Sequence, residues 1–184
     1  MPCDRTSEFT PFTRSTACKS GWIWRIPLQH RTGNGHVFST RFVGEDEARA
    51  TLLAAVDGEV QAEPRLLKFR AGRRVQAWKR NCVALGLASG FLEPLESTSI
   101  FLVQKAIQDM LRLLPTPEAR CADEHLIGEF NRLSDALYER IRDFLILHYT
   151  VNRREGEPLW DHVRHYALPD SLRHKLALFD VRGH

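Results

Sequence analysis

The sequence predicts an α+β fold in which antiparallel strands come first and helices follow. Its first half contains short apolar segments that alternate with period two, and its second half contains apolar stripes with helical spacing. Hydrophobic residues make up 43% and charged residues 27% of the 184 positions, a balance typical of globular chains. We therefore predict a loop or extended start over residues 1–20, followed by strands and then by helices.

The clearest strand follows the Ser-, Thr- and Pro-rich start. Trp22, Trp24 and Ile26 alternate with Ile23, Arg25 and Pro27, which predicts a strand with both indoles on one face, ending near Pro27. The dipeptide Asn34-Gly35 is the strongest turn signal that follows. We therefore expect a turn over residues 30–35 and a return strand over 36–42.

The middle of the chain predicts one helix and more strands. Residues 46–56 have a helical pattern that Asp57-Gly58 closes. Residues 65–70 and 75–80 predict a hairpin around a turn at Ala71-Gly72, and residues 82–85 predict a short buried strand.

The rest of the chain is predicted to be helical. Apolar residues recur from Ile100 to Leu114 at helical spacing, with Ser97 or Thr98 as the N-cap and Pro115-Thr116-Pro117 as the end. Three further helices are expected over residues 123–149, 159–166 and 170–179.

Composition excludes several classes of function. A net charge of +3 is too small to indicate nucleic-acid binding by itself, and no apolar run is long enough to span a bilayer. The four cysteines form no Cys-x-x-Cys pair, and the N-terminus carries no apolar signal segment, so we expect a reduced, cytoplasmic protein. His162 and His165 could share a helix face, but no further ligand accompanies them, so no metal site is expected.

The segment from Gly90 to Ser99 is the best candidate site. A glycine-containing turn that leads into a helix presents backbone N–H groups to a ligand, and Glu96 adds a carboxylate. The pattern alone favours an ordinary strand-to-helix turn whose glycines relieve strain.

Two motifs indicate more than such a turn. Trp22, Trp24, Ile26 and Pro27 form the pattern Trp-x-Trp-x-Ile-Pro, and residues 90–98 read Gly-Phe-Leu-Glu-Pro-Leu-Glu-Ser-Thr. Together they resemble the flavin-dependent tryptophan halogenases. The resemblance covers nearly the whole chain and implies the C-terminal part of a monooxygenase-like FAD/NAD(P)-binding halogenase fold. It implies that residues 21–116 form the C-terminal portion of the FAD-binding monooxygenase-like domain and that residues 117–184 form a helical region on the substrate side. The Gly-x-Gly-x-x-Gly unit and the catalytic lysine of the family belong to a part that this sequence does not match.

The resemblance assigns roles to residues around Glu96. It implies that Glu96 assists catalysis, by positioning the oxidant or by taking the ring proton. It also implies that Thr98 and Ser99 hold the halide through backbone groups, and that Leu87 and Ile100 contact the flavin.

The resemblance also implies a pocket for an aromatic substrate. The substrate-binding residues that it indicates are Glu96, Ser97, Tyr149, Glu155 and Trp160. The alternative is that Tyr149 and Trp160 only dock the last helices. In the family the two motif tryptophans lie near the substrate; as large apolar residues they also suit a core.

The resemblance implies a C-terminal fragment of an enzyme that chlorinates or brominates tryptophan or another indole. Its cofactor is FAD, used as FADH2 from a flavin reductase, together with oxygen and chloride or bromide. Other expected partners are a separately encoded N-terminal half and a second copy in a homodimer, with no nucleic acid or membrane. We expect the chain alone to be inactive. The alternative is a non-catalytic helical binding module left by gene truncation.

Overall fold

The computed structural model describes residues 1–5, 10–116, 118–119 and 122–183. It confirms the α+β class, since antiparallel strands precede most of the five helices. The chain divides into two compact units: unit 1 contains residues 1–68 and 149–166, and unit 2 contains residues 69–148 and 167–184. The boundaries predicted at residues 20 and 116 refer to parts of a larger fold and stay a prediction.

Unit 1 is built on a four-stranded antiparallel sheet. Its strands are β1 (Pro2–Cys3), β2 (Arg14–Cys18), β3 (Gly21–Pro27) and β4 (Thr32–Phe38), in the order β1-β4-β3-β2. The predicted strand through Trp22 is confirmed as β3, an inner strand on which Trp22 and Ile23 are buried. Pro27 occupies its last position, where a missing N–H costs least.

The turn predicted at Asn34-Gly35 is wrong. The chain reverses over residues 28–31, where the Leu28 N–H donates to the Arg31 carbonyl at 2.8 Å, and Asn34 and Gly35 lie inside β4. Gly35 stands opposite Trp24, and a Cβ there would lie less than 3.0 Å from the indole. Asn34 is buried, and its amide donates to Cys3 Sγ at 3.2 Å. Tertiary packing therefore uses both residues in a strand.

Two helices complete unit 1. Helix α1 (Glu45–Ala54) matches the predicted helix and begins with three acidic residues, which suit the positive end of a helix dipole. Helix α4 (Pro158–Arg164) begins at a proline, which needs no N–H in the first turn. Both helices confirm the sequence pattern to within two residues.

The hairpin predicted over residues 65–80 is also wrong. In unit 2, β5 (Gly72–Arg73) pairs with β8 (Gly90–Phe91), and β6 (Trp78–Lys79) pairs with β7 (Cys82–Val83). Distant partners decide this pairing. A Cβ at Gly90 would lie less than 3.0 Å from the backbone of β5, and the Arg73 guanidinium donates to Asp135 at 2.5 Å. The strand predicted over 82–85 is reduced to the two residues of β7.

Three helices supply most of unit 2: α2 (Thr98–Leu113), α3 (Glu124–Thr150) and α5 (Asp170–Arg182). All three confirm the predicted helices. Helix α2 ends before Pro115 as expected, whereas Pro117 lies outside the described residues. The apolar stripes of α2 and α3 form two clusters of buried side chains: Leu102, Tyr138, Ile141 and Leu145 in one, and Ala77, Trp78 and Phe130 in the other.

A buried carboxylate links α3 to α5. Burial opposes ionisation of Asp143, but hydrogen bonds from Arg142, Ser171 and Lys175 outweigh it and hold the pKa of the carboxyl below its usual value. The Lys175 ammonium lies 3.1 Å from this carboxylate. Across the described ranges, no helix is both long and apolar enough to cross a bilayer.

We predict that Gly35→Ala destabilises unit 1. The new methyl group would overlap the Trp24 indole, and overpacking of this kind costs about 1–3 kcal/mol. Gly33→Ala is the matched control, because its Cβ would lie 3.4 Å from the same indole, an ordinary contact. Urea unfolding followed by circular dichroism measures both variants. Equal free energies of unfolding in the two variants would contradict the packing described here.

Candidate functional site

The segment that leads into α2 has an unusual backbone. Glu96 (φ 60°, ψ 10°) and Ser97 (φ 51°, ψ 32°) are consecutive L-residues in the left-handed region. Each such residue costs about 1–2 kcal/mol, and strain of this kind concentrates at functional sites. Ser97 occupies the predicted N-cap position but makes no side-chain cap; its N–H donates to the Pro94 carbonyl at 3.1 Å.

This backbone places the Glu96 carboxylate beside an imidazole. Glu96 Oε1 lies 3.7 Å from Nε2 of His148, a residue of the last turn of α3. The carboxylate is half exposed, and about a third of the His148 side chain is accessible. The carboxylate and the imidazole together can hold or pass a proton.

The other ring nitrogen of His148 has a hydrogen-bond partner on its own helix. His148 Nδ1 lies 2.8 Å from the Phe144 carbonyl, which only accepts hydrogen bonds, so Nδ1 carries a proton. The ring also packs edge-on against the Phe144 ring, with centroids 4.5 Å apart. Nε2 is therefore directed at Glu96 and forms an ion pair with it when the imidazole is charged. Sequence reasoning did not connect these two residues, because no local pattern links positions so far apart.

A shallow apolar depression of about 120 Å³ follows this turn. Its lining brings together Leu87 and Ile100, the two predicted flavin contacts, with Ser99, one of the two predicted halide contacts. Leu87 is 76% exposed and Ile100 is 68% exposed, unusually high values for aliphatic side chains. Gly86, at φ 60°, and Gly90 supply backbone without side chains at the same place. Thr98 and Ser99 lie in the first turn of α2, where N–H groups have no partner within the helix.

Unit 1 contains three aromatic residues in contact, Trp22, Tyr149 and Trp160, called the aromatic cluster below. The Trp22 indole N–H donates to the Tyr149 hydroxyl at 3.0 Å. The Tyr149 ring stacks on Trp160 with centroids 6.0 Å apart and planes 22° from parallel. The Trp160 N–H donates to the Cys18 carbonyl at 2.7 Å. Two predicted substrate residues and one motif residue are thus brought together.

Polar residues of the following loop hold the aromatic cluster. The Asn152 amide donates to the carbonyls of Tyr149 and Trp160, at 2.7 and 3.1 Å. The Arg154 guanidinium lies 5.9 Å from the Trp160 ring centroid, and its hydrogen bond lowers the pKa of the Glu157 carboxyl. Glu155, the remaining predicted substrate residue of unit 1, is exposed in this loop.

The other motif residues have structural surroundings. Trp24 lies over Gly33 and Gly35, Ile26 is half-buried, and Pro27 is buried at the end of β3. His165 Nδ1–H donates to the Asp161 carbonyl at 2.8 Å. Within the part of the chain that the structure describes, no three His, Cys, Asp or Glu side chains gather as a metal site.

Comparison with known proteins gives close matches. The chain is 38% identical to tryptophan 6-halogenase SttH from Streptomyces toxytricini and 35% identical to tryptophan 7-halogenase RebH from Lentzea aerocolonigenes. The matches cover 99% and 96% of this chain but 35% and 33% of those proteins, so the chain spans about a third of their length. Because these relatives are tryptophan halogenases, the alternative of a non-catalytic binding module is not favoured.

Comparison with solved structures also gives halogenases. BrvH, a flavin-dependent halogenase from Brevundimonas sp. BAL3, superposes with a TM-score of 0.91 at 45% identity, over 97% of this chain and 36% of BrvH. The fold is thus that of the corresponding part of a flavin-dependent halogenase. The sequence profile described as tryptophan halogenase matches residues 1–184, and on this evidence the chain belongs to the tryptophan halogenase family.

Proposed function

We propose that this chain provides the substrate side and part of the flavin side of a halogenase that chlorinates or brominates tryptophan or another indole. One observation carries the proposal: a strained turn presents Glu96, and an exposed apolar depression lined by Ser99 and Ile100 follows within one helical turn. An acidic group beside an apolar surface suits the halogenation of an aromatic ring. Family membership supports the same reading.

The residues of the depression fit a flavin. A flat ring system needs apolar contacts and closely approaching backbone, which Leu87, Ile100 and the two glycines supply. When bound, reduced FAD supplies the electrons that generate the halogenating oxidant from oxygen and a halide. Leu87 and Ile100 would contact its ring, and the backbone N–H groups of Thr98 and Ser99 would hold chloride or bromide. The positive end of the α2 dipole favours an anion there.

Glu96 acts as the base in this proposal. When a ring carbon gains the halogen, it must lose its proton, and a half-exposed carboxylate is a suitable acceptor. When its imidazole is charged, His148 holds the carboxylate in place through Nε2, because Nδ1–H is engaged by the Phe144 carbonyl. Ser97, next to Glu96 and exposed, borders the substrate.

The aromatic cluster provides an apolar wall for the substrate. Tyr149 and Trp160 offer stacked rings, which an indole prefers, and Glu155 provides a polar anchor. The proposal includes a flavin reductase as the source of reduced flavin, a polypeptide that supplies the dinucleotide-binding part, and a cytoplasmic location.

Glu96→Gln tests the role of the base. In a chimera in which this chain replaces the matching 186-residue alignment region of SttH, we expect Glu96→Gln to reduce halotryptophan formation about 100-fold or more, since general bases contribute about 10²–10⁴-fold. Mass spectrometry measures the product. Glu93→Gln is the matched control, three residues earlier on the same segment, and should keep activity within a few fold. A chimera without halogenation would oppose the proposed function, whereas equal activity of the two variants would oppose only the role of Glu96.

Leu87→Ser tests the flavin contact. Because Leu87 is 76% exposed, the substitution should change the free energy of unfolding by less than about 0.5 kcal/mol. We expect it to weaken FAD binding about 3- to 10-fold, as measured by flavin fluorescence, since burial of a leucine on a ligand contributes about 1.5–3 kcal/mol at most. Val75→Ser is the control, because Val75 is 83% exposed and lies outside the depression. If both variants bind FAD equally well, the depression is not the flavin contact.

A further inference from the structure

We propose that a narrow cavity behind the apolar depression binds one ordered water molecule, which bridges the Ser89 hydroxyl to the Asp109 carboxylate and the Tyr138 hydroxyl. These side chains belong to the turn before β8, to α2 and to α3, so the water joins three separate parts of unit 2. The inference goes beyond the proposed function, because it holds whatever ligand the depression takes.

The cavity has a suitable size for one water molecule. Its volume is about 20 Å³, whereas a buried water needs about 10–15 Å³. Gly86 and Leu102 line both this cavity and the apolar depression, so the two spaces share a wall. A molecule bound in the cavity therefore lies directly behind the surface on which the depression is formed.

Two buried hydroxyl groups on the cavity lining need a hydrogen-bond partner. Ser89 is 6% exposed and Tyr138 is 5% exposed, and within the described residues no protein group hydrogen-bonds either hydroxyl. The backbone of Ser89 is already used, since its N–H donates to the Gly86 carbonyl at 2.9 Å and its carbonyl accepts from the Arg74 N–H at 2.8 Å. Buried polar groups are rarely left unpaired, and a bound water would pair both hydroxyls.

Asp109 supplies an acceptor on the same cavity. Its side chain is buried, and its Oδ1 atom accepts from the Lys105 ammonium, with the Arg112 guanidinium 3.8 Å away. Among the described residues no donor reaches Oδ2, which is left to accept from the water. Ser134, half-buried on α3, adds a further hydroxyl to the lining. The cavity thus offers the three or so partners that a buried water typically has.

Two other small occupants suit the cavity less well. A metal cation would need negative charge, but Lys105 and Arg112 already neutralise the Asp109 carboxylate. An apolar gas such as dioxygen would leave the Ser89 and Tyr138 hydroxyls without a partner. Water can both donate to the carboxylate and accept from a hydroxyl, so it alone meets all of these requirements.

The water also has a mechanical consequence for the depression. On its outer side the turn over residues 86–89 is held by Arg74, whose Nε–H donates to the Ala88 carbonyl at 2.6 Å. On its inner side the Ser89 hydroxyl reaches α2 and α3 only through the water. Leu87 lies in the same turn and lines the depression. The water therefore helps to keep this wall of the depression in place.

The first experiment is a crystal structure of the full chain, from an untreated crystal and from one pressurised with xenon. We expect one water peak about 2.5–3.0 Å from Ser89 Oγ, Asp109 Oδ2 and Tyr138 Oη, and no xenon in the cavity. An empty cavity, a xenon peak, or a cation with several oxygen contacts shorter than about 2.5 Å would each overturn the inference.

The second experiment is a double-mutant cycle in urea unfolding. We expect Ser89→Ala and Tyr138→Phe each to raise the unfolding equilibrium constant about 3- to 10-fold, the effect of one hydrogen bond. The double variant should show less than the product of the two effects, because the hydroxyls share one water and no direct hydrogen bond. Tyr166→Phe is the matched control, since Tyr166 is exposed, and should stay within about twofold. Independent effects of Ser89→Ala and Tyr138→Phe would contradict a shared water.

The third experiment tests the effect on the turn. In Tyr138→Phe we expect amide hydrogen exchange at the Ser89 N–H to accelerate several-fold, because the water loses one of its partners. Exchange at the Trp78 N–H, which is held by the Asn131 side chain of α3, should stay unchanged. Unchanged exchange at Ser89 would overturn the role of the water in holding the turn.

The outcomes separate this inference from the proposed function. If the full chain binds no FAD, the proposed flavin contact is wrong, whereas the water site is untouched. If FAD binds and the cavity is empty, only the water site is wrong. If either variant does not fold, the crystal structure of the unmodified chain still decides.

Discussion

A buried indole N–H must have an acceptor, and unit 1 is organised around this requirement. Trp22 and Trp160 are both almost fully buried, and each donates to an atom from a distant part of the sequence. Trp22 connects β3 to Tyr149 of α3, and Trp160 connects α4 to the end of β2. An unsatisfied donor in either place would cost about 1–3 kcal/mol. The same two bonds therefore hold the sheet of unit 1 to residues 149–166 and set the geometry of the aromatic cluster.

In unit 2, it is the backbone conformation before α2 that positions the candidate catalytic side chain. The left-handed pair Glu96-Ser97 ends a 3₁₀ turn over Leu95–Ser97 and starts α2 without a side-chain cap. Helix α2 packs its apolar stripe on α3, which supplies His148 close to the carboxylate. The contact between Glu96 and His148 thus depends on helix packing on one side and on the strained backbone on the other. Neither element would hold the carboxylate there alone.

Sequence reasoning found the helices because their signal is local. The apolar stripe of α2 and the long stripe of α3 specify helices within two residues of the observed bounds. It failed where distant packing decided the outcome. Asn34-Gly35 has the pattern of a turn, yet Trp24 needs the absent side chain of Gly35.

The candidate site was predictable only in part. The motif resemblance indicated Leu87, Ser99 and Ile100, which do line one depression. The contact of Glu96 with His148 and that of Trp22 with Tyr149 had no signal, since each joins residues with no periodic relation. The positive φ angles of Glu96 and Ser97 could not be predicted either, because residues with positive φ are usually glycine.

The positive φ of Ser97 also bears on which residue type suits position 97. Glycine at position 97 would adopt the same backbone without steric cost. A glycine would also let the carboxylate of the preceding residue wander. Low steric cost and a fixed position of the carboxylate therefore place opposite demands on this one peptide unit.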